Sequence, residues 1–176
     1  RRFVTAEPTE YIKYGPWLAQ PGPHGRMLDL KRVFLRELCS RNGQMVAAFA
    51  PSGVIPLHGV LTLVPRRINI YILLAILNSE VCARYVRRNT ASFSKVDFQK
   101  VTIGELKELP IPLGLVYQQY ARAICPRYRQ LKSRLSMRIQ LARTVLRIVA
   151  EKNVKTAGEC ELLRKTEGLV RRAYYG

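Results

Sequence analysis

The sequence predicts an α+β chain: a mixed or antiparallel β domain that carries one buried helix, followed by a C-terminal helical hairpin. Three observations lead there. Up to residue 64 the apolar residues fall in short runs separated by Gly, Pro and Asn turn chemistry, the pattern of strands. From Ile70 to Leu77 every residue is apolar or Tyr, too uniform for a half-solvated element. Between Tyr117 and Ala150 there is no acidic residue, and Ile124, Tyr128, Leu131, Leu135, Ile139, Ala142, Leu146 and Val149 recur at spacings of three and four, one stripe on a long helix.

The elements follow in order. Pro8, Gly15, Pro16, Pro21, Gly22, Pro23 and Gly25 exclude a long helix from the first 25 residues and leave extended pieces joined by turns, with Tyr11, Tyr14 and Trp17 as plugs for the edge of a core, the alternative being that one or two of them face a binding partner. Met27 to Leu38 predicts a strand with Lys31, Arg32 and Arg36 on its open face, a short helix being the alternative. Arg41-Asn42-Gly43 has turn chemistry. Met45–Ala50 and Val60–Val64 predict two further strands, separated by Pro51-Ser52-Gly53 and His58-Gly59. Asn69 is placed to cap a helix over residues 70 to 88, which ends on Arg84, Arg87 and Arg88, cations suited to a helix C-terminus. Asn78, Ser79 and Glu80 interrupt the apolar run too early for a membrane span.

Asn89 to Lys95 is polar and small, a loop. Val96 to Ile103 predicts a strand, and Gly104 to Leu113 an approach to a Pro-terminated one. In the tail, Pro126 kinks or starts the long helix, and Thr156 with Glu159 has the form of a capping box for a last helix reaching about Tyr174. The domain division expected is 1–113 for the α+β domain and 114–176 for the hairpin packed on it.

Composition narrows the partners. Among 176 residues, 30 Lys and Arg stand against 12 Asp and Glu, a net charge of +18. Such a surplus exceeds what solubility requires and points to a polyanion. The cations are spread along the chain and interleaved with aromatics, which favours nucleic acid over a membrane surface. Arg outnumbers Lys, as bidentate phosphate and guanine contacts prefer.

The four cysteines, Cys39, Cys82, Cys125 and Cys160, lie far apart without a C-x-x-C pair and read as reduced residues of a cytoplasmic protein. His24 and His58 have no metal-ligand spacing around them. Asp97 with Glu105 and Lys107 is the nearest approach to a nuclease cluster and reads as a solvated surface set. No nucleophile elbow, phosphate loop or dinucleotide fingerprint occurs, so no catalytic residue and no metal site are expected in this chain. Opening on Arg1-Arg2-Phe3 instead of Met, the chain reads as a piece of a longer protein.

Five stretches carry a resemblance. They are Tyr11-Ile-Lys-Tyr-Gly-Pro-Trp-Leu18, Lys31-Arg-Val-Phe-Leu-Arg-Glu37, Leu74-Ala-Ile-Leu-Asn-Ser79, Leu106-Lys-Glu-Leu-Pro-Ile-Pro112 and Leu169-Val-Arg-Arg-Ala-Tyr-Tyr-Gly176. In that order the chain resembles the TaqI-like C-terminal specificity domain, the target-recognition part of type II and type IIG adenine-N6 DNA methyltransferases of restriction-modification systems. It is similar, more distantly, to the recognition domains of type I specificity subunits.

The resemblance implies a target-recognition domain that binds double-stranded DNA opposite an upstream methyltransferase domain of the same protein, while that domain flips out an adenine. S-adenosylmethionine is then expected in the upstream domain and no cofactor in this chain; the parent would be an S-adenosylmethionine-dependent enzyme, with or without a fused endonuclease. From loop position and residue type, the expected phosphate anchors are Lys31, Arg32, Arg36, Arg66, Arg67, Arg88 and Lys95. The expected base readers are Arg41, Asn42, Asn89 and Ser92. Two other readings fit the charge: an RNA-binding or ribosome-associated basic protein, and a structural module whose hairpin mediates subunit contact. Oligomeric state is not readable from the sequence.

Overall fold

The computed structural model describes residues 3–4, 29–56, 58–90, 99–112, 115, 140–145 and 157–175. Within them the fold is α+β. Strands β1 (Phe3–Val4), β2 (Arg32–Arg36), β3 (Ala47–Ala50) and β4 (Val60–Leu63) form one sheet in the order β1-β3-β2-β4. β2 pairs antiparallel with both β3 and β4, and β1 adds a short parallel pairing to β3.

Alternation along β2 sends Val33 and Leu35 to one face and Arg32, Phe34 and Arg36 to the other. Val33 and Leu35 are fully buried, and their face packs on helix α1 (Ile70–Leu77). Asn69 caps α1 as its chemistry predicts, its Oδ1 accepting from Tyr71 N–H at 2.9 Å. Ile72, Leu74, Ala75, Ile76 and Leu77 are all buried, because the sheet covers one side of α1 and the C-terminal helix α4 (Ala157–Tyr175) the other. Burying a leucine such as Leu74 contributes about 2 kcal/mol each time, so this eight-residue helix holds sheet and tail to a single core. Leu115, Leu141, Val145, Leu169 and Val170 belong to that same cluster.

The single helix expected over 70–88 is two helices. Asn78 and Ser79 break it, and α2 (Glu80–Asn89) starts afresh with Ser79 as N-cap, Ser79 Oγ accepting from Cys82 N–H at 3.2 Å. The cause is non-local. Asn78 is 6% exposed and its amide is spent on β3: Oδ1 accepts from Ala47 N–H (3.1 Å), while Nδ2 donates to Ala47 C=O (2.9 Å) and Leu74 C=O (2.9 Å). The side chain thus serves as a missing strand neighbour, and the chain leaves the helix to deliver it.

Two other expectations change. Of the strand expected over Val96 to Ile103, the described part makes only an isolated bridge, Leu38 with Lys100, and Ile103–Lys107 forms the short helix α3. Thr102 and Glu105 build a capping box there, Thr102 N–H donating to Glu105 Oε2 at 2.7 Å and Glu105 N–H to Thr102 Oγ1 at 3.3 Å. In the tail, residues 140–145 are helical, with Leu141, Thr144 and Val145 buried and Ala142, the one described member of the expected stripe, half-buried against the same core. Leu141 and Val145 are the larger apolar pair, one turn apart, and they take the core side. The rest of the expected long helix, Tyr11, Tyr14, Trp17, Asp97, His24 and the Thr156 cap lie outside the described residues.

Among the described residues no helix is long and apolar enough to cross a membrane, and no cluster of His, Cys, Asp and Glu could hold a metal ion. Cys39 and Cys82 are free thiols. Burial, reinforced by the charge of Glu105, pushes the Cys39 thiol up to about 11, and burial beside Cys39 pushes Cys82 up to about 12. Because the thiolate is the reactive form, native Cys39 is expected to alkylate at pH 8 about 100-fold more slowly than in urea. Peptide mapping after timed maleimide labelling reads this, and equal native and denatured rates would contradict it.

Candidate nucleic-acid interface

A groove of about 1030 Å³ lies between α2, the end of β2 and the turn that joins β2 to β3. The turn is built locally. Gly43 N–H donates to Ser40 C=O (2.8 Å), Ser40 N–H to Gln44 C=O (3.0 Å) and Gln44 N–H to Ser40 Oγ (3.1 Å). Gly43 takes φ +76°, and a Cβ there would stand 2.5 Å from Ala83 O and 3.1 Å from Arg87 Cβ, so the turn is seated directly on α2. Only glycine allows both the left-handed backbone and that approach.

Gln44 extends the seat, donating from Nε2 to Asn78 C=O at 3.0 Å. The other wall is the segment at 99–101, laced to Glu37 and Cys39 by Cys39 N–H to Gln99 C=O and Val101 N–H to Glu37 C=O, both 2.9 Å.

Among the described residues the groove is lined by four arginines, Arg36, Arg41, Arg84 and Arg87, with the polar side chains of Asn42, Gln44 and Gln99 and one acid, Glu80. Arg36 comes from β2, Arg41 from the turn, and Arg84 and Arg87 stand one turn apart on α2, so three elements converge cations on one concavity. Converging guanidinium forks favour polyanionic oxygen ligands, because each fork takes two oxygens at once.

Glu80 is bridged. Its Oε1 accepts from Arg84 Nη2 (2.5 Å) and Nε (3.2 Å), its Oε2 pairs with Arg171 of α4, and its backbone N–H donates to Glu167 Oε2 at 3.0 Å. The hydrogen bond from Arg84, with the charge of Arg171 behind it, holds the Glu80 carboxyl below the usual carboxylate range.

A family model described as the TaqI-like C-terminal specificity domain matches residues 1–111, well over half of the 176. The chain belongs to that family. No curated protein and no solved structure matches it. Every described residue that lines the groove falls inside the matched specificity-domain span, whereas α4, which Glu80 ties to it, lies beyond.

The residues expected at the interface of this specificity domain divide into groups. Arg36, Arg41 and Asn42 meet at the groove, all exposed. Lys31, Arg66 and Arg67 are exposed at the opposite end of β2, where the β2–β4 register carries the chain after Leu63 towards Lys31. At a strand rise of roughly 3.3 Å per residue the two ends of β2 are about 13 Å apart. Arg88 is exposed near the end of α2 but does not line the groove, and Asn89 is exposed with its Nδ2 donating to Tyr85 C=O at 2.8 Å. Lys95 and Ser92 lie outside the described residues.

Arg32 is a correction. It is 2% exposed, its Nη2 donates to Val54 C=O (2.7 Å) and Pro51 C=O (3.5 Å), and its guanidinium lies 5.6 Å from the Phe34 ring centroid. The loop after β3 folds across that face of the strand and closes on the guanidinium, so Arg32 is a structural clasp rather than a phosphate anchor. Conversely, Arg84 and Arg87 were not among the expected contacts. Their one legible signal was the basic exit of the helix, which also suits its dipole and so does not single them out.

Proposed function

We propose that this chain is the target-recognition domain of a restriction-modification DNA methyltransferase, and that the groove between α2 and the Ser40–Gln44 turn is where it meets duplex DNA. The single observation that carries the reading is the convergence of Arg36, Arg41, Arg84 and Arg87 on one open concavity beside Asn42. Membership of the specificity-domain family supports DNA recognition as the activity.

In this reading Arg36 and Arg87 take phosphates and fix the register of the duplex, while Arg41 and Asn42, carried on the tip of a turn, reach base edges. Lys31, Arg66, Arg67 and Arg88 extend the phosphate track away from the groove. Residues 1–113 form the reading surface and 114–176 a helical brace packed on it. Methylation of adenine-N6 belongs to an upstream S-adenosylmethionine-binding domain, against which this one closes on the DNA.

Two measurements test the proposal. Competition between duplex DNA and structured RNA at physiological salt should favour the duplex; preference for the RNA would instead establish the basic RNA-binding reading. Arg36→Ala and Arg87→Ala should each flatten the log–log dependence of DNA affinity on salt by about 0.9, the loss of one phosphate contact. Slopes equal to the wild type would remove both arginines from the interface.

A further inference from the structure

We propose that Glu80 is a specificity-determining residue of the groove: its carboxylate occupies the guanidinium fork of Arg84, so that a DNA phosphate reaches that arginine only by displacing it. This rests on the duplex-DNA reading above. Glu80 is the sole acid among the described residues that line the groove, and it meets Arg84 through two contacts to one oxygen. Carboxylate and phosphate are the two anions that an arginine fork holds in the same geometry. Both side chains are about half-exposed, 56% for Arg84 and 47% for Glu80, so an incoming phosphate can reach the pair.

The consequence is a tax on phosphate contacts and none on base contacts. When a phosphate displaces Glu80 from Arg84, the freed carboxylate recruits a cation from solution, which offsets the counterion that the phosphate releases. Non-specific binding consists almost wholly of phosphate contacts and their released counterions. Holding back one of them lowers non-specific affinity and leaves the contacts of Arg41 and Asn42 to bases untouched, so discrimination rises. The second grip on Glu80, from Arg171 on α4, keeps the carboxylate over the groove instead of letting it swing to solvent.

The test is binding of a random-sequence duplex by the whole chain over a range of salt. Glu80→Gln should tighten binding about fivefold at 0.15 M salt and steepen the salt slope by about 0.9, the value of one added phosphate contact. In the Arg84→Gln background the same change should have no effect. Glu167→Gln, which loosens α4 without releasing Arg84, should bind like the wild type.

If Glu80→Gln shifts the thermal melt but leaves affinity and slope alone, Glu80 is only a helix-end brace and the inference fails. A gain that survives in the Arg84→Gln background would equally overturn it, as a general charge effect. Should the amide variant not fold, Glu80→Asp keeps the helix-end charge but is one methylene short of Arg84, and a steeper slope is again required. A wild-type chain that binds no duplex at all defeats the functional reading itself, which separates the two failures.

Discussion

An Asn78→Leu variant is expected to lose about 2–6 kcal/mol of stability, because two buried peptide groups of Ala47 are orphaned at about 1–3 kcal/mol each. Leucine matches the size of asparagine closely enough that no large cavity forms, so the loss reports hydrogen bonding. Ala47 N–H and C=O both face the Asn78 amide, at 3.1 and 2.9 Å, and among the described residues no strand takes that edge of β3 at Ala47. The helix break that starts α2 depends on the same residue. The variant should therefore weaken DNA binding as well, by loosening the angle at which α2 presents Arg84 and Arg87.

Urea melts read the stability. A shift below about 1 kcal/mol would mean that the edge finds another partner cheaply. Asn78→Asp sharpens the point: an ionised carboxylate would face the Ala47 carbonyl, so its folded pKa is raised above the unfolded value. Its stability should then recover as the pH falls through that raised pKa, the carboxylic acid donating where the amide did.

The second large effect is expected at the turn. Gly43→Ala combines a left-handed backbone, costing about 1–2 kcal/mol for a residue with a Cβ, with a methyl 2.5 Å from Ala83 O that has nowhere to go. A total of about 2–4 kcal/mol follows, relieved in part if the turn backs away from α2. Gly53→Ala is the matched control, since Gly53 has φ +81° with no atom within 4 Å of the added Cβ. The difference between the two isolates the seating of the turn on the helix. It should be accompanied by weaker duplex binding at Gly43 alone, because Arg41 and Asn42 ride on that turn. Equal losses of stability at both glycines would show that seating contributes nothing.

Much of the fold was legible locally. Turn chemistry at Arg41-Asn42-Gly43 and Pro51-Ser52-Gly53 bounded the strands, the uniform run Ile70 to Leu77 announced a buried helix, and Asn69 announced its cap; each is a feature of residues within one turn of each other. The last helix was likewise expected to reach about Tyr174 and ends at Tyr175. The helix expected over 70–88 is broken by a partner distant in the chain, because Ala47 needs the amide of Asn78. Residues 103–107 depart for a local reason: Thr102 and Glu105 cap each other before Pro110 can impose an extended run.

The candidate site follows the same division. Composition and charge were enough to indicate a polyanionic partner, because +18 is a property of the chain however it folds. Which cations present themselves was not. Arg32 and Arg36 occupy equivalent positions two pleats apart on one face of β2, yet a loop that folds back over the sheet closes on the first and leaves the second at the mouth of the groove. Period-two alternation assigns a side chain to a face, and period 3.6 assigns one to a stripe. Neither says what will cover that face. Glu80 and Arg84 meet within one turn of α2, but burial of Arg32, convergence of Arg84 and Arg87 with Arg41, and the hold of Glu80 on Arg171 arise from segments distant in sequence that meet only when the chain folds.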